Sequence, residues 1–182
     1  ELDPRSGSHN TAEKLKEALI QLKFEAEIFS DFTYDEIETK VNDICRREEG
    51  LRKSDCILII VMTHGMCRDH LYSKDTHYPS NDLPPFFITK QCPSLAGKPK
   101  LFIFQACRGD LKDTGTKVMQ STERQTDGPK SSYKLPAHAD FLTACSTAPR
   151  HTAYREPFIE AFCEELSSQE VKEGKIDFLS ML

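Results

Sequence analysis

The sequence predicts a layered α/β fold in which a mostly parallel central sheet is flanked by helices. Two apolar runs of strand length, 56–62 and 100–104, lack a helical period and are rich in branched and aromatic residues, which is typical of strands buried on both faces. Segments with helical periodicity alternate with these runs, as in parallel sheets with helical crossovers. A length of 182 residues suits one domain of this kind.

Three elements are expected before the first apolar run. Residues 1–8 are predicted to form a loop, and a helix is expected to begin at Asn10 or Thr11, either of which can cap it. A short strand is predicted over 24–29, where apolar residues alternate. The apolar face of the helix would carry Leu15, Leu19 and Leu22.

A second helix is expected over 34–49, followed by the run at 56–62 as a central strand of the sheet. Thr33 and Glu36 have the spacing of a capping box, and Gly50 is expected to end the helix. The buried face of this helix would carry Ile37, Val41, Ile44 and Cys45.

Between and after the two apolar runs the composition changes twice. Residues 66–95 are polar and rich in proline, which predicts an excursion with a small hairpin or a helical turn near 86–88. Residues 110–135 have the composition of a linker. A strand and two helices are then expected, over 140–145, 157–167 and 176–182.

Composition limits the class of protein. No apolar run approaches the roughly 20 residues that span a bilayer, and the first residues lack a signal-peptide pattern, so no membrane contact is expected. A net charge of -5 without a long basic run argues against nucleic acid as a partner. Seven cysteines in mostly apolar segments suggest a reduced, cytoplasmic protein. Because they lack paired ligand spacing, neither a metal site nor a cofactor is expected.

Each apolar run is followed by a candidate catalytic residue. His64 follows the first strand and Cys107 follows the second, so in a parallel sheet the two lie at the same edge. A histidine can take the proton of a thiol and later protonate a leaving amine. Gly65 would let its amide approach a substrate carbonyl and form an oxyanion hole with the amide of Cys107. Taken alone, Cys107 could equally be a buried structural thiol.

Residues 105–109, Gln-Ala-Cys-Arg-Gly, resemble the signature of caspases, in which a histidine is expected about 50 residues upstream. His64 lies at a comparable distance. The similarity continues in Arg5-Ser6-Gly7, in 92–100 and in 139–142, and it extends over essentially the whole chain.

The resemblance implies a single caspase-like catalytic domain over 1–182. The large-subunit region would cover about 1–127 and the small-subunit region 128–182, and the intersubunit linker 110–135 would span the boundary between them. Cys107 would be the nucleophile, His64 the general acid/base, and Gly65 with Cys107 the oxyanion donors.

Caspases cut after aspartate, and the resemblance assigns the aspartate pocket to Arg5, Gln105 and Arg155. Two guanidinium groups can hold one carboxylate by charge-assisted hydrogen bonds. Tyr154 would form the wall of the next subsite. Without the resemblance, both arginines would be ordinary surface cations and Tyr154 a packing residue.

Caspases mature by cleavage between their subunits at aspartates. Asp127, followed by Gly128, is the first candidate for this cut and Asp113 the second; alternatively both are solvated loop residues. The resemblance further implies a zymogen that acts in apoptosis or inflammatory signalling. Its expected partners are protein substrates with aspartate at the cleaved bond, a second copy in a homodimer of large/small pairs, and adaptor or inhibitor proteins.

Two other functions are alternatives. A catalytically silent caspase homologue could act as a dimerising regulator, although the Cys/His pair and the pocket residues argue against it. A protease of the metacaspase or paracaspase type would need acidic residues where Arg5 and Arg155 stand.

Compared with the family pattern, three segments are expected to be missing from the chain. They are the first sheet strand with any pro-domain, a loop between Glu156 and Pro157 that forms much of the outer substrate groove, and the strand after Leu182 through which caspases commonly dimerise. No preference beyond aspartate is therefore predicted.

Overall fold

The structure is a computed structural model that describes residues 7–112, 140–153, 157–178 and Ser180. Its helices are α1 (Ser8–Gln21), α2 (Tyr34–Arg46), α3 (Glu48–Lys53), α4 (Pro157–Ser167) and α5 (Gln169–Lys172). Its strands are β1 (Ile57–Met62), β2 (Gly65–Met66), β3 (His70–Tyr72), β4 (His77–Pro79), β5 (Lys100–Gln105) and β6 (Phe141–Cys145).

A parallel sheet of β1, β5 and β6 forms the centre of the described structure, with β5 in the middle. The β1–β5 ladder runs from Ile57 opposite Lys100 to Met62 opposite Gln105, and β6 pairs with β5 on the other side. The predicted parallel sheet is confirmed. The central position predicted for 56–62 is wrong in the described sheet, which explains why β1 is only half-buried throughout while β5 is buried.

Helices cover both faces of this sheet and complete the three layers. On one face, Ile103 of β5 packs among apolar side chains of α1 and α4. On the other face, Phe102 and Phe104 pack among side chains of α2, α3 and the turns that follow β4. The alternation of side chains along a strand sends neighbours to opposite layers, so β5 contributes to two separate cores.

Helix α1 begins earlier than predicted. Gly7, with a φ of 88°, precedes the helix, and Thr11 lies inside it, where its hydroxyl donates a hydrogen bond to the carbonyl of Gly7 at 3.2 Å. A left-handed residue at this position is most easily supplied by glycine. The predicted apolar face is confirmed, since Leu15 and Leu19 are buried.

The predicted capping box at the start of α2 is confirmed. The amide of Thr33 donates to Glu36 Oε2 at 2.8 Å, and the amide of Glu36 donates to Thr33 Oγ1 at 3.3 Å. The predicted apolar face is also present. Val41 is buried, and the others pack around it: Ile37, Ile44 and Cys45.

The predicted stop at Gly50 is wrong. The chain bends at Arg47 and continues as α3, with Gly50 inside it. The ammonium group of Lys98 donates to the carbonyls at the carboxyl end of α3, those of Leu51, Arg52 and Ser54, at 2.6, 2.9 and 2.6 Å. A cation that binds free carbonyls stabilises a helix end, so this tertiary contact outweighs the low helix propensity of glycine.

The strand predicted over 24–29 is not formed, although half-buried and exposed side chains do alternate along this segment. Phe24 and Ala26 are half-buried against the α1/α4 core, while Glu25 between them and Glu27 after them are exposed. The alternating pattern therefore indicates an extended backbone with one face on the core. A strand also needs a hydrogen-bonded neighbour, and none of the described residues forms a ladder with this segment.

The excursion between β1 and β5 contains both features that were predicted as alternatives. Strands β2, β3 and β4 form a small antiparallel sheet, and single 3-10 turns cover 80–82, 84–87 and 93–95. The later strand and α4 are confirmed at 141–145 and 157–167.

The last predicted helix, over 176–182, is wrong in its described part. Helix α5 lies earlier, capped by Ser168, whose hydroxyl accepts a hydrogen bond from the amide of Val171 at 3.3 Å. Phe178 follows in a non-helical turn and packs edge-to-face on Phe162.

Among the described helices, none is both long enough and apolar enough to span a bilayer.

Candidate active site

The ends of β1 and β5 bring the two predicted catalytic residues to the same edge of the sheet. Met62 is paired with Gln105, and the amide of Thr63 extends the ladder by donating to the carbonyl of Gln105 at 3.2 Å. His64 and Cys107 each follow this last pair by two residues, and both are half-buried. The predicted placement of the two residues at one carboxyl edge is confirmed.

Gly65 packs its backbone directly against the backbone of Cys107. A Cβ atom on Gly65 would lie 3.1 Å from the carbonyl carbon of Cys107, closer still to its oxygen, and 2.9 Å from Cβ of Ala106. No residue other than glycine fits this space without moving a backbone. The glycine after the histidine is thus explained by close packing of the two strand ends.

A hairpin holds the backbone of His64. The amide of Tyr72 in β3 donates to the carbonyl of His64 at 3.0 Å, and the hydroxyl of Thr63 donates to the carbonyl of Tyr72 at 2.8 Å. Strands β2 and β3 continue this pairing away from the sheet. The position of the histidine therefore depends on the hairpin as well as on β1.

The thiol of Cys107 contacts the loop after β6. Its Sγ atom lies 3.8 Å from the carbonyl oxygen of Ala153, to which the thiol donates a hydrogen bond. Ala153 directly precedes Tyr154 and Arg155, two of the predicted substrate-binding residues. The predicted nucleophile is thus in contact with the segment that leads to its predicted pocket.

Backbone hydrogen bonds join the residues after Cys107 to the same loop. The amide of Arg108 donates to the carbonyl of His151 at 2.9 Å, and the amide of Arg150 donates to the carbonyl of Arg108 at 3.0 Å. Further along, the amide of Thr152 donates to the carbonyl of Leu111 at 2.8 Å. We call 108–111 and 150–152 with these bonds the loop pairing.

Gly109 permits the loop pairing. A Cβ atom there would lie 2.6 Å from Cα of Arg150, which is closer than side-chain and backbone atoms approach in proteins. Gly109 is itself buried. The last residue of the predicted signature therefore serves the packing of two loops.

Gln105 is buried at the end of β5, with 1% of its surface exposed. A buried amide is costly unless it finds polar partners, so a glutamine at this place in an apolar strand indicates a polar environment at the sheet edge. Its proposed contact with a substrate carboxylate remains a prediction.

Five of the other cysteines are buried or half-buried. Burial raises the pKa of five thiols, which keeps them protonated and unreactive. They are Cys45, Cys56, Cys92, Cys145 and Cys163. These five fit the role of structural thiols.

An ion pair that the sequence did not predict lies beside the site. Arg108 Nε and Nη2 donate to the two carboxylate oxygens of Asp69 at 2.6 and 2.9 Å. The hydrogen bonds from Arg108 lower the pKa of the Asp69 carboxyl group, and Asp69 in turn raises the pKa of Arg108. A separation of 39 residues leaves no local pattern that could have revealed the pair.

Five predicted residues lie outside the described part of the chain. Arg5, Tyr154 and Arg155 belong to the predicted substrate pocket, and Asp113 and Asp127 are the predicted processing sites.

The chain is similar to known proteins over its whole length. A family model described as the caspase domain matches residues 1–182. Caspase drICE of Drosophila melanogaster is 40% identical over all of the chain and 53% of its own length. Caspase-1 of Spodoptera frugiperda is 39% identical over 91% of the chain and 55% of its own length. The chain thus spans little more than half of each of these relatives.

A solved structure has the same fold. The crystal structure of Caspase-1 from Spodoptera frugiperda superimposes with a TM-score of 0.83 at 34% sequence identity. The match covers 99% of the chain and 68% of the solved chain.

Proposed function

Because this chain belongs to the caspase family, we propose that it is a cysteine endopeptidase that hydrolyses peptide bonds after aspartate. Cys107 is the nucleophile and His64 is the general acid/base. The observation that supports this most is the packing of Gly65 on the backbone of Cys107, which holds the ends of β1 and β5 together.

In the proposed reaction the imidazole of His64 takes the proton of the Cys107 thiol, and Sγ attacks the carbonyl carbon of the peptide bond. The amides of Gly65 and Cys107 donate hydrogen bonds to the oxyanion that forms. The C–N bond then breaks as His64 protonates the leaving amine, leaving a thioester on Cys107. Water, deprotonated by His64, attacks the thioester and releases the new carboxylate and the thiol. One oxyanion donor contributes about 2.7–4 kcal/mol in such reactions.

The contact between Cys107 and Ala153 has to change before attack. The thiol donates to the carbonyl of Ala153, so its proton points away from a base as long as that bond persists. Substrate binding offers an amide N–H that can replace the thiol as the donor to this carbonyl. The exchange frees the thiol proton for His64.

The aspartate pocket in this proposal consists of Arg5, Gln105 and Arg155, with Tyr154 lining the next subsite. Support comes from the position of Gln105 at the end of β5 and from the contact of Cys107 with the residue before Tyr154. Two arginines would bind one carboxylate more tightly than lysines because their planar groups can donate two parallel hydrogen bonds.

The proposal includes maturation and assembly. The chain is a cytoplasmic zymogen. A cut at Asp127 or Asp113 separates its large-subunit region from its small-subunit region. The mature protein is a homodimer of large/small pairs that acts on protein substrates in apoptosis. This part is supported by family membership alone.

The test compares two cysteine-to-alanine variants of the full-length protein on peptides that contain aspartate or asparagine at the cut. We expect Cys107→Ala to abolish cleavage of the aspartate peptide. Cys56→Ala, which changes a half-buried thiol beside the opposite end of β1, should retain it. Cleavage by Cys107→Ala, or equal cleavage of both peptides by the wild type, would contradict the proposal. A wild type that dimerises but cleaves neither peptide would indicate the silent regulator.

A further inference from the structure

Asp69 and Arg108 connect the two halves of the candidate site. Asp69 lies in the turn of the β2–β3 hairpin, five residues after His64, and Arg108 directly follows Cys107. Two parallel hydrogen bonds, of 2.6 and 2.9 Å, join their side chains. The ion pair therefore bridges the segment that carries the histidine and the segment that carries the cysteine.

Arg108 is also held by contacts other than those with Asp69. Its Nη1 atom donates to the carbonyl of Thr147 at 3.3 Å, and its backbone takes part in the loop pairing with 150–152. A guanidinium group with three directed contacts has little freedom to follow a moving partner. Arg108 thus provides a fixed point to which the hairpin turn is attached.

The turn that presents Asp69 adopts an unfavourable backbone. Arg68 and Asp69 have φ angles of 61° and 58°, a region that residues other than glycine rarely occupy. Such conformations persist only where surrounding contacts impose them. The ion pair with Arg108 supplies such a contact.

The pair differs from the ion pairs on the helix surfaces. The side chains of Arg108 and Asp69 are 21% and 37% exposed, whereas those of Arg52 and Glu48 on α3 are 70% and 62% exposed. Exposed ion pairs contribute little to stability because water screens them. A partly buried pair with two parallel hydrogen bonds is stronger and also fixes the relative orientation of its two side chains. The Arg52–Glu48 pair is therefore a suitable control.

We propose that Asp69 and Arg108 are a positioning pair that sets the distance between His64 and Cys107, an inference that rests on the proposed protease function. Beyond the end of the β1–β5 ladder at Gln105, the segments of the two reactive residues are joined by the packing of Gly65 on Cys107 at the base of the hairpin and by the Asp69–Arg108 pair at its turn. The hairpin that carries His64 can drift if its turn is released from Arg108. Displacement of a reacting group by about 1 Å can lower a rate by about 100-fold.

The pair has a direct kinetic consequence. Neither side chain belongs to the proposed aspartate pocket, so its loss should slow the chemical step without weakening substrate binding. In Asp69→Asn the new amide places N–H groups opposite one of the donors of Arg108, which breaks the two-pronged geometry with almost no change of volume. The variant therefore removes the ion pair without creating a cavity.

The experiment measures kcat and KM for an aspartate peptide in full-length Asp69→Asn, Arg108→Lys, the double variant Asp69→Asn/Arg108→Lys and Glu48→Gln, well below their unfolding temperatures. We expect kcat of Asp69→Asn to fall on the order of 10- to 100-fold with KM unchanged. Arg108→Lys keeps the positive charge but cannot make the two parallel hydrogen bonds, so its kcat should also fall. The double variant should be no slower than the slower single variant, because both changes remove the same interaction. Glu48→Gln should equal the wild type.

A second measurement keeps the inference separate from the proposed function. The rate at which iodoacetamide alkylates Cys107, followed by mass spectrometry of its peptide, does not require substrate turnover. For Asp69→Asn it should fall toward the rate of His64→Ala, while Glu48→Gln should match the wild type. If the wild type cleaves no peptide, the proposed function fails, and the alkylation rates still decide whether the pair positions the dyad.

Three results would overturn the positioning role. The first is an Asp69→Asn variant whose kcat and alkylation rate equal those of Glu48→Gln. The second is a rise of KM at constant kcat, which would assign the pair to substrate binding. The third is a double variant whose loss equals the product of the two single losses, because that would mean the two side chains act independently.

Discussion

Replacing Gly65 with alanine tests how closely the two strand ends must pack. The added Cβ atom would meet Cβ of Ala106 at 2.9 Å and the carbonyl carbon of Cys107 at 3.1 Å, with the carbonyl oxygen nearer still. Carbon atoms in contact prefer about 3.5–4.0 Å, so the ends of β1 and β5 have to separate on the order of 1 Å. The contacted atoms belong mostly to the backbone and cannot rotate away.

Separating the ends of β1 and β5 should lower both the activity and the stability of the variant. A shift of this size between nucleophile and base lowers kcat/KM by about 100-fold, equivalent to about 2.7 kcal/mol of transition-state stabilisation. Forcing a methyl group into a filled space also costs about 1–3 kcal/mol of folding free energy, which lowers the unfolding midpoint by roughly 2–12 °C. Peptide cleavage and thermal denaturation measure the two effects separately.

Gly50→Ala is the matched control for this prediction. Apart from its chain neighbours and the backbone of its own helix, no heavy atom lies within 4 Å of a Cβ atom at Gly50, which is inside α3. There the same substitution should stabilise the protein by about 0.5–1 kcal/mol and leave cleavage unchanged. A Gly65→Ala variant with the kcat/KM and unfolding midpoint of the wild type would refute the argument from close packing.

Two further predictions concern stability. Lys98→Met should lower the free energy of unfolding by about 1–3 kcal/mol, because three carbonyls at the end of α3 lose a charged donor. Lys53→Met, on the exposed face of α3, should change it by less than about 0.5 kcal/mol in urea denaturation, and equal losses would contradict the capping role. Arg108 holds the pKa of Asp69 below its ordinary value of 3.8, so Asp69 stabilises the fold above that pH and loses the contribution as the folded carboxylate is protonated. Asp69→Asn should therefore be less stable than the wild type at pH 7 and approach it in acid; a deficit independent of pH would exclude the charge as its cause.

The parts of the fold that the sequence predicted well depend on local patterns. The strands that became β1, β5 and β6 are short apolar runs, and the capping box of α2 involves residues three apart. The meeting of the His64 and Cys107 segments followed from a general property of parallel sheets. These inferences needed no knowledge of distant contacts.

Three of the errors and omissions involve contacts between residues far apart in the chain. Helix α3 continues through Gly50 because Lys98, 47 residues beyond Leu51, binds its end. The alternating segment 24–29 is extended but has no ladder partner among the described residues, which its own sequence could not reveal. The Asp69–Arg108 pair was missed for the same reason, although Arg108 stood inside the predicted signature.

The loop pairing has a consequence for what the proposed cleavage would do to the molecule. Its hydrogen bonds, like the β5–β6 ladder, join residues before Asp113 and Asp127, the two candidate cleavage sites, to residues after them. While the chain is intact, these contacts form within one molecule at a high effective concentration. A cut in the linker turns the same contacts into an association of two fragments, so that folding becomes bimolecular. After the cut, the fraction of folded protein would fall on dilution, and each fragment would act as a ligand that stabilises the other.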